Sequence, residues 1–174
     1  MKVLIVIDML NGFCREGFPL SLPVSTSGIE DYIASRIIKT REEGSEVIFI
    51  CDNHTLLDPE IGDPYPPHCI GGTEEAEIVD SLKPFAKEAT VITKSTMSIF
   101  LNTGMEELLK KLNPTEIEIT GVCTDICNLF AVYELRIRGY HVFVSPEGVL
   151  PLEPDKQEVF LDYYKRMLGV RVGK

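Results

Sequence analysis

"KVLIVID", residues 2–8, decides the fold. After Lys2 the run is apolar without interruption, and it stops at the carboxylate of Asp8. A strand with one face in water alternates apolar and polar residues; an unbroken run fits a strand covered on both faces. Such strands belong to parallel sheets with helices packed above and below.

Similar runs recur along the chain. "EVIFIC" (46–51), "ATVIT" (89–93), "EIEIT" (116–120), "HVFVS" (141–145) and a short "VRV" (170–172) read as further strands. Helical patterns fall between them. From Ile29 to Glu43, Ile29, Ile33, Ile37 and Ile38 form an apolar stripe, and Gly44 stands where a helix stop is expected. Residues 74–85, 104–112 and 155–168 also read as helices, as does a segment ending near Arg138 before Gly139. Strand–helix alternation with no repeat and no linker predicts a three-layer α/β/α, Rossmann-like fold. Its sheet should be mostly parallel and six-stranded, with right-handed crossovers.

The bulk composition narrows the function. The chain has 174 residues, one domain's worth, with 44% hydrophobic and 25% charged residues and a net charge of −10. That charge repels phosphate backbones, which argues against nucleic acid as a partner. There is no basic run for a membrane surface. The first apolar run is too short for a signal peptide or a membrane span, so a cytoplasmic protein is expected. The five cysteines, Cys14, Cys51, Cys69, Cys123 and Cys127, are odd in number and scattered, unlike a disulfide framework.

Ligands of open parallel sheets bind at the carboxyl ends of the strands. Those ends carry Asp8, then Cys51-Asp52 followed by His54, then Lys94, then "GVCTDIC" (121–127). A polar strand end is ordinary taken singly; four reactive ends on one rim are harder to dismiss. In "GVCTDIC", Thr124 or Asp125 suits an N-cap, which puts Cys127 in the first turn of a helix and Cys123 before it. A thiol there feels the positive end of the helix dipole, which lowers its pKa, and a nearby Lys94 would lower it further. Asp8 could take the thiol proton and hand it to a leaving group. Free N–H groups around Cys123 and Cys127 would face a developing oxyanion. Two buried, inert thiols remain the ordinary alternative. A zinc clip, a disulfide and a redox pair fit the pattern less well.

Asp8, Lys94 and Cys127 in "TGVCTDIC" together resemble the isochorismatase-like cysteine hydrolases, and among them the nicotinamidases. The likeness runs from "VIDMLNGF" to "GYHVFV" and implies one hydrolase domain across 1–174. It implies that Asp8, Lys94 and Cys127 are a catalytic triad for hydrolysis of an amide or related bond. It also implies a cis peptide between Val122 and Cys123, with an oxyanion hole from the N–H groups of Cys123 and Cys127.

The loop "CDNHTLLDPEIGDPYPPHCIGGT" (51–73) resembles the metal-binding loop of nicotinamidases. Asp52 and His54, two apart in extended chain, point the same way. His68 follows a stiff Tyr-Pro-Pro. Two histidines and a carboxylate suit a divalent metal, Zn²⁺ first, with Mn²⁺ or Fe²⁺ as alternatives. The likeness offers Glu60 as a fourth ligand, with Asp58 and Asp63 as rivals. It also matches Phe13, Ser98 and Phe100 to substrate-contacting positions, and Tyr65 could form a facing wall; packing is the ordinary alternative for all four.

Departures exist. Leu10 and Gly12 stand where the family often has Gln and Asp, Asn128 follows Cys127 where an aliphatic residue is usual, and residues 52–73 lack the usual Trp-His-Pro version. The resemblance implies a metal-dependent nicotinamidase acting in NAD salvage, a small-molecule amide as its partner, and a homo-oligomer. A related amidase acting on another amide or ureido compound is the alternative, and a non-catalytic small-molecule binder of the same fold is a second.

Overall fold

The structure is a computed structural model that describes residues 1–173. Six strands, β1 (Lys2–Ile7), β2 (Glu46–Asp52), β3 (Thr90–Lys94), β4 (Glu116–Val122), β5 (Val142–Leu150) and β6 (Arg171–Val172), form one sheet in the order β3-β2-β1-β4-β5-β6. Every neighbouring pair is parallel. The expected "mostly parallel" sheet is parallel throughout.

The unbroken run in β1 works as its composition demands. Val3, Ile5 and Ile7 face one core, with Ala131, Val132 and Leu135 of α5 (Cys127–Ile137) and Leu161 and Tyr164 of α6 (Gln157–Met167). Leu4 and Val6 face the opposite core, with Ile29, Ile33 and Ile37 of α2 (Ser27–Glu42). A half-exposed strand could not supply both faces. Each fully buried aliphatic side chain here contributes about 1.5–3 kcal/mol. In the α2 stripe, Ile38 proves exposed, because it lies one step of about 100° round the helix from Ile37. Gly44 ends that helix in the left-handed region, φ +65°. No helix of the described residues is long and apolar enough to cross a membrane.

Three boundaries differ from expectation. Residues 74–85 are not one helix: a 3₁₀ turn covers Glu74–Ala76 and a short α3 covers Lys83–Ala86. Between them the chain is a strap across the end of β1. Ile78 pairs antiparallel with Leu10, Asn11 N–H donates to Glu77 O at 2.9 Å, and Val79 N–H donates to Met9 O at 3.0 Å. These bonds replace the helical ones that the spacing of Ile78, Val79 and Leu82 suggested. β5 continues past Ser145 to Leu150 through a bulge, its register jumping from Ile119↔Val144 to Gly121↔Val149. α5 begins at Cys127, with Ile126 rather than Thr124 or Asp125 at its N-cap and no side-chain cap.

Candidate active site

Strand ends place the reactive groups. β1 delivers Asp8 at φ +52°, fully buried. β2 delivers Asp52, β3 delivers Lys94, and Asp52 and Lys94 lie opposite each other in the β2–β3 register. β4 runs into Gly121 and Val122. A side chain at Gly121 would put its Cβ 1.9 Å from the Ile7 carbonyl oxygen, so β1 and β4 can approach there only around a glycine. That approach brings the turn before Cys127 beside Asp8.

The Lys94 ammonium is the hub. It lies 2.9 Å from Asp8 Oδ2, contacts Asp52 Oδ1, and lies 3.7 Å from Cys127 Sγ. Asp8 Oδ1 accepts the Asp52 N–H at 2.9 Å. Burial and the neighbouring Asp52 charge push the Asp8 carboxyl up to about 6, against the pull of Lys94. Burial also favours the protonated form of Asp52, but Lys94 and His54 outweigh it and hold that carboxyl below its usual range. Burial would strip the proton from Lys94, yet Asp8, Cys127 and Asp52 keep it well above the ordinary lysine value. Cys127 corrects an expectation: burial lifts its thiol well above the ordinary value, despite Lys94. The group is held as a thiol, with the Asp8 carboxyl beside it.

Val122–Cys123 is a cis peptide, as the family likeness implies. Cys123 and Cys127 both line a cavity of about 380 Å³. Cys127 is the first residue of α5, so its N–H has no acceptor within the helix. No sulfur is bonded to another.

Asp52, His54 and His68 form a second cluster, and Asp52 and His68 line the same cavity. One ligand atom from each lies within 4.8 Å of the others. His54 Nε2 is 3.6 Å from Asp52 Oδ1 and His68 Nε2 is 3.9 Å from Asp52 Oδ2. Both remote ring nitrogens are engaged: His54 Nδ1 with Asp58 Oδ2 at 3.3 Å, and His68 Nδ1 donating to Pro66 O at 2.8 Å. The Pro66 bond fixes the tautomer of His68 and leaves its Nε2 lone pair free. His54 Nε2 is buried with no hydrogen-bond partner. An orphaned buried nitrogen beside a second imidazole and a carboxylate fits a metal ion. Asp8, Asp52 and Cys127 also cluster closely, but there the Lys94 ammonium already serves as the cation.

The other candidates divide. Glu60 lines the cavity, but its carboxylate accepts the Met97 N–H at 2.7 Å and is not in the close cluster of ligand atoms. Asp58 orients His54 from behind; Asp63 is exposed, next to the cis Pro64. Phe13 and Tyr65 line the cavity, each with its ring 5.9 Å from that of His68. Ser98 and Phe100 do not. Ser98 Oγ donates to Glu134 at 2.7 Å and accepts the Leu101 N–H at 2.9 Å, and the Phe100 ring lies under the Arg138 guanidinium at 3.8 Å. They pin the turn after β3 to α5, and Met97 faces the cavity instead. Leu20, Met97, Val122 and Ile126 complete the lining unforeseen. Only Met97 and Ile126 carried a signal, as apolar neighbours of Lys94 and Cys127.

Leu10 and Gly12, the departures near Asp8, have a packing cause. Leu10 is buried and bridges to Ile78 of the strap. A Cβ on Gly12 would meet Cys69 Sγ at 2.8 Å and the backbone of Glu75 at 3.3 Å.

A parallel α/β sheet with a buried thiol, ammonium and carboxylate at its carboxyl end defines a class of protein, and the sequence places the chain within it. Residues 2–172 match the isochorismatase domain, and the chain belongs to that family. It is 30% identical to the solved nicotinamidase of Bacillus subtilis, with a TM-score of 0.92 and 99% of both chains covered. The N-carbamoylsarcosine amidase of Thermoplasma acidophilum superposes with a TM-score of 0.85 at 26% identity, covering 99% of this chain and 95% of the other. The pyrazinamidase of Pyrococcus horikoshii, solved in complex with zinc, gives 0.84 at 25% identity, covering 99% and 98%. The chain is thus a nicotinamidase-like member of the family, which includes proteins named for other amides.

Proposed function

We propose that the protein is a metal-dependent nicotinamidase: nicotinamide and water give nicotinate and ammonia. One observation carries the reading. The Cys127 thiol shares one small, largely apolar cavity with Asp52 and His68, and His54 completes a close trio with those two. A thiol alone would serve any amide; a metal trio in the same cavity suits a substrate with a donor atom remote from its carboxamide. Asp52, His54 and His68 would hold a divalent metal, which would supply a Lewis acid for such an atom, here the pyridine nitrogen.

The chain's own residues then do the following. Phe13 and Tyr65 flank the ring. Asp8 takes the thiol proton, and the Cys127 sulfur attacks the carboxamide carbon. The N–H groups of Cys123 and Cys127 receive the oxyanion. The C–N bond breaks, and ammonia leaves with the proton from Asp8. Water, deprotonated by Asp8, opens the thioester, and the proton returns to Cys127. Lys94 stays charged throughout and keeps Asp8 and Cys127 together.

The test is ammonia release from nicotinamide by purified protein, before and after chelation and with zinc or manganese restored. Release that chelation abolishes and metal restores supports the reading. No release from metal-loaded protein discards nicotinamide, and release from an N-carbamoyl compound instead favours the ureido-cleaving alternative.

A further inference from the structure

An oxyanion hole must offer donors and withhold acceptors, because a carbonyl oxygen aimed at a developing negative charge raises the barrier. β4 ends at Val122, and the turn from Cys123 to Asp125 is irregular backbone beside the cavity, so the carbonyls of this strand end and turn need partners. The structure provides them. Asn128 Nδ2 donates to Gly121 O at 2.9 Å. The N–H groups of Ile126 and Asn128 donate to Cys123 O at 3.1 and 3.0 Å. The buried Tyr164 hydroxyl donates to Thr124 O. Side chains hold the turn from behind as well: Thr124 Oγ1 donates to Gln157, whose amide reaches Val149 O at 2.9 Å, and Asp125 accepts the Leu152 N–H at 2.9 Å.

Two of these residues have no place in the chemistry proposed above. Tyr164 sits on α6, fully buried, and Asn128 is the residue whose polar side chain departs from the family's usual aliphatic one. We infer that Tyr164 and Asn128 are positioning residues: they draw the Thr124 and Gly121 carbonyls back into the protein, so that the turn meets the reacting carbonyl with the N–H groups of Cys123 and Cys127. The inference rests on the reading that Cys127 attacks an amide. It explains why a polar residue follows the nucleophile in this chain. An aliphatic residue there would leave Gly121 O without its side-chain donor.

The test compares Tyr164→Phe, which keeps the ring and deletes only the hydroxyl, with Asn128→Leu. Metal-loaded protein is assayed for kcat and KM on nicotinamide, and Cys127 is separately alkylated with iodoacetamide, a reaction that builds no oxyanion. Tyr164→Phe is expected to lower kcat about tenfold, less than the hundredfold or more that removal of an oxyanion donor causes. KM should stay within about twofold and the alkylation rate should hold. Asn128→Leu, where it folds, should behave likewise. A kcat unchanged in Tyr164→Phe, or hydrolysis and alkylation falling together, overturns the inference while an active wild type keeps the cysteine reading. A wild type that hydrolyses neither nicotinamide nor an N-carbamoyl compound overturns both.

Discussion

Asp8 and Asp52 end neighbouring strands, are both buried and share one ammonium, yet their environments drive them apart. Asp8 faces Lys94 but also the Asp52 charge, and with burial this lifts it to about 6. Asp52 has Lys94 on one side and His54 on the other, and stays below the usual carboxylate range. One carboxylate can exchange a proton near neutral pH; the other is a standing anion. The division suits a proton carrier and a cation ligand, and the separating influences are the Asp52 charge that faces Asp8 and the His54 imidazole beside Asp52.

The largest effect should come from the thiol at the Asp8 corner. Cys127→Ala is expected to lower turnover of nicotinamide by about 10⁴-fold or more, leaving zinc uptake intact. Ammonia release together with metal analysis of the dialysed protein checks both halves. Loss of zinc in this variant would erase the distinction between the corners.

Next come the two carboxylates themselves. Asp8→Asn should reduce kcat/KM by about 10²–10⁴-fold with zinc retained, whereas Asp52→Asn should lose zinc as well. The pH profile sharpens the contrast. Asp8 must be ionised to accept the thiol proton, so wild-type kcat/KM should fall as pH drops through about 6. Asp8→Asn should show residual activity without that limb. Stability runs the other way. The folded-state value lies above the ordinary 3.8, so the contribution of Asp8 is full below about 4 and is lost as pH rises through about 6. A thermal-unfolding series across that range reads it. A profile flat through pH 6 in the wild type removes Asp8 as the base.

A smaller effect tests the support behind the metal trio. Asp58 is partly exposed and touches His54 only at Nδ1. Asp58→Asn should weaken zinc binding about 10–100-fold in competition titrations, with Cys127 alkylation unchanged.

The same contrast governs what could be read before the fold was known. Asp8, Lys94 and Asp52 stand at the ends of apolar runs, and a parallel sheet must gather such ends on one rim. Their placement followed from periodicity. His54 and His68 lie on a loop; spacing tied His54 to Asp52, and only the family likeness tied His68 to them. The strap at 77–79 escaped because its apolar spacing suits a helix; nothing local announces that its backbone will pair with residues 9–11. The thiol pKa escaped for a related reason. Lys94 is visible in the sequence, but the burial that outweighs it is a property of the whole packed molecule.

Ser98 is the finest test of that boundary, because the likeness placed it against substrate and the structure places it in a turn. Its hydroxyl donates to Glu134 and accepts from Leu101, and the Ile99 N–H adds a second bond to Glu134 at 3.1 Å. These bonds join the turn after β3 to α5, the helix that begins at Cys127, so Ser98 bears on the site only through the stiffness of that joint. Ser98→Ala should therefore lower stability by about 1 kcal/mol, the ordinary net value of such a bond, in denaturant titration. KM for nicotinamide should remain within about twofold. A tenfold rise in KM at unchanged stability would return Ser98 to the substrate and show that the turn rearranges when the cavity fills.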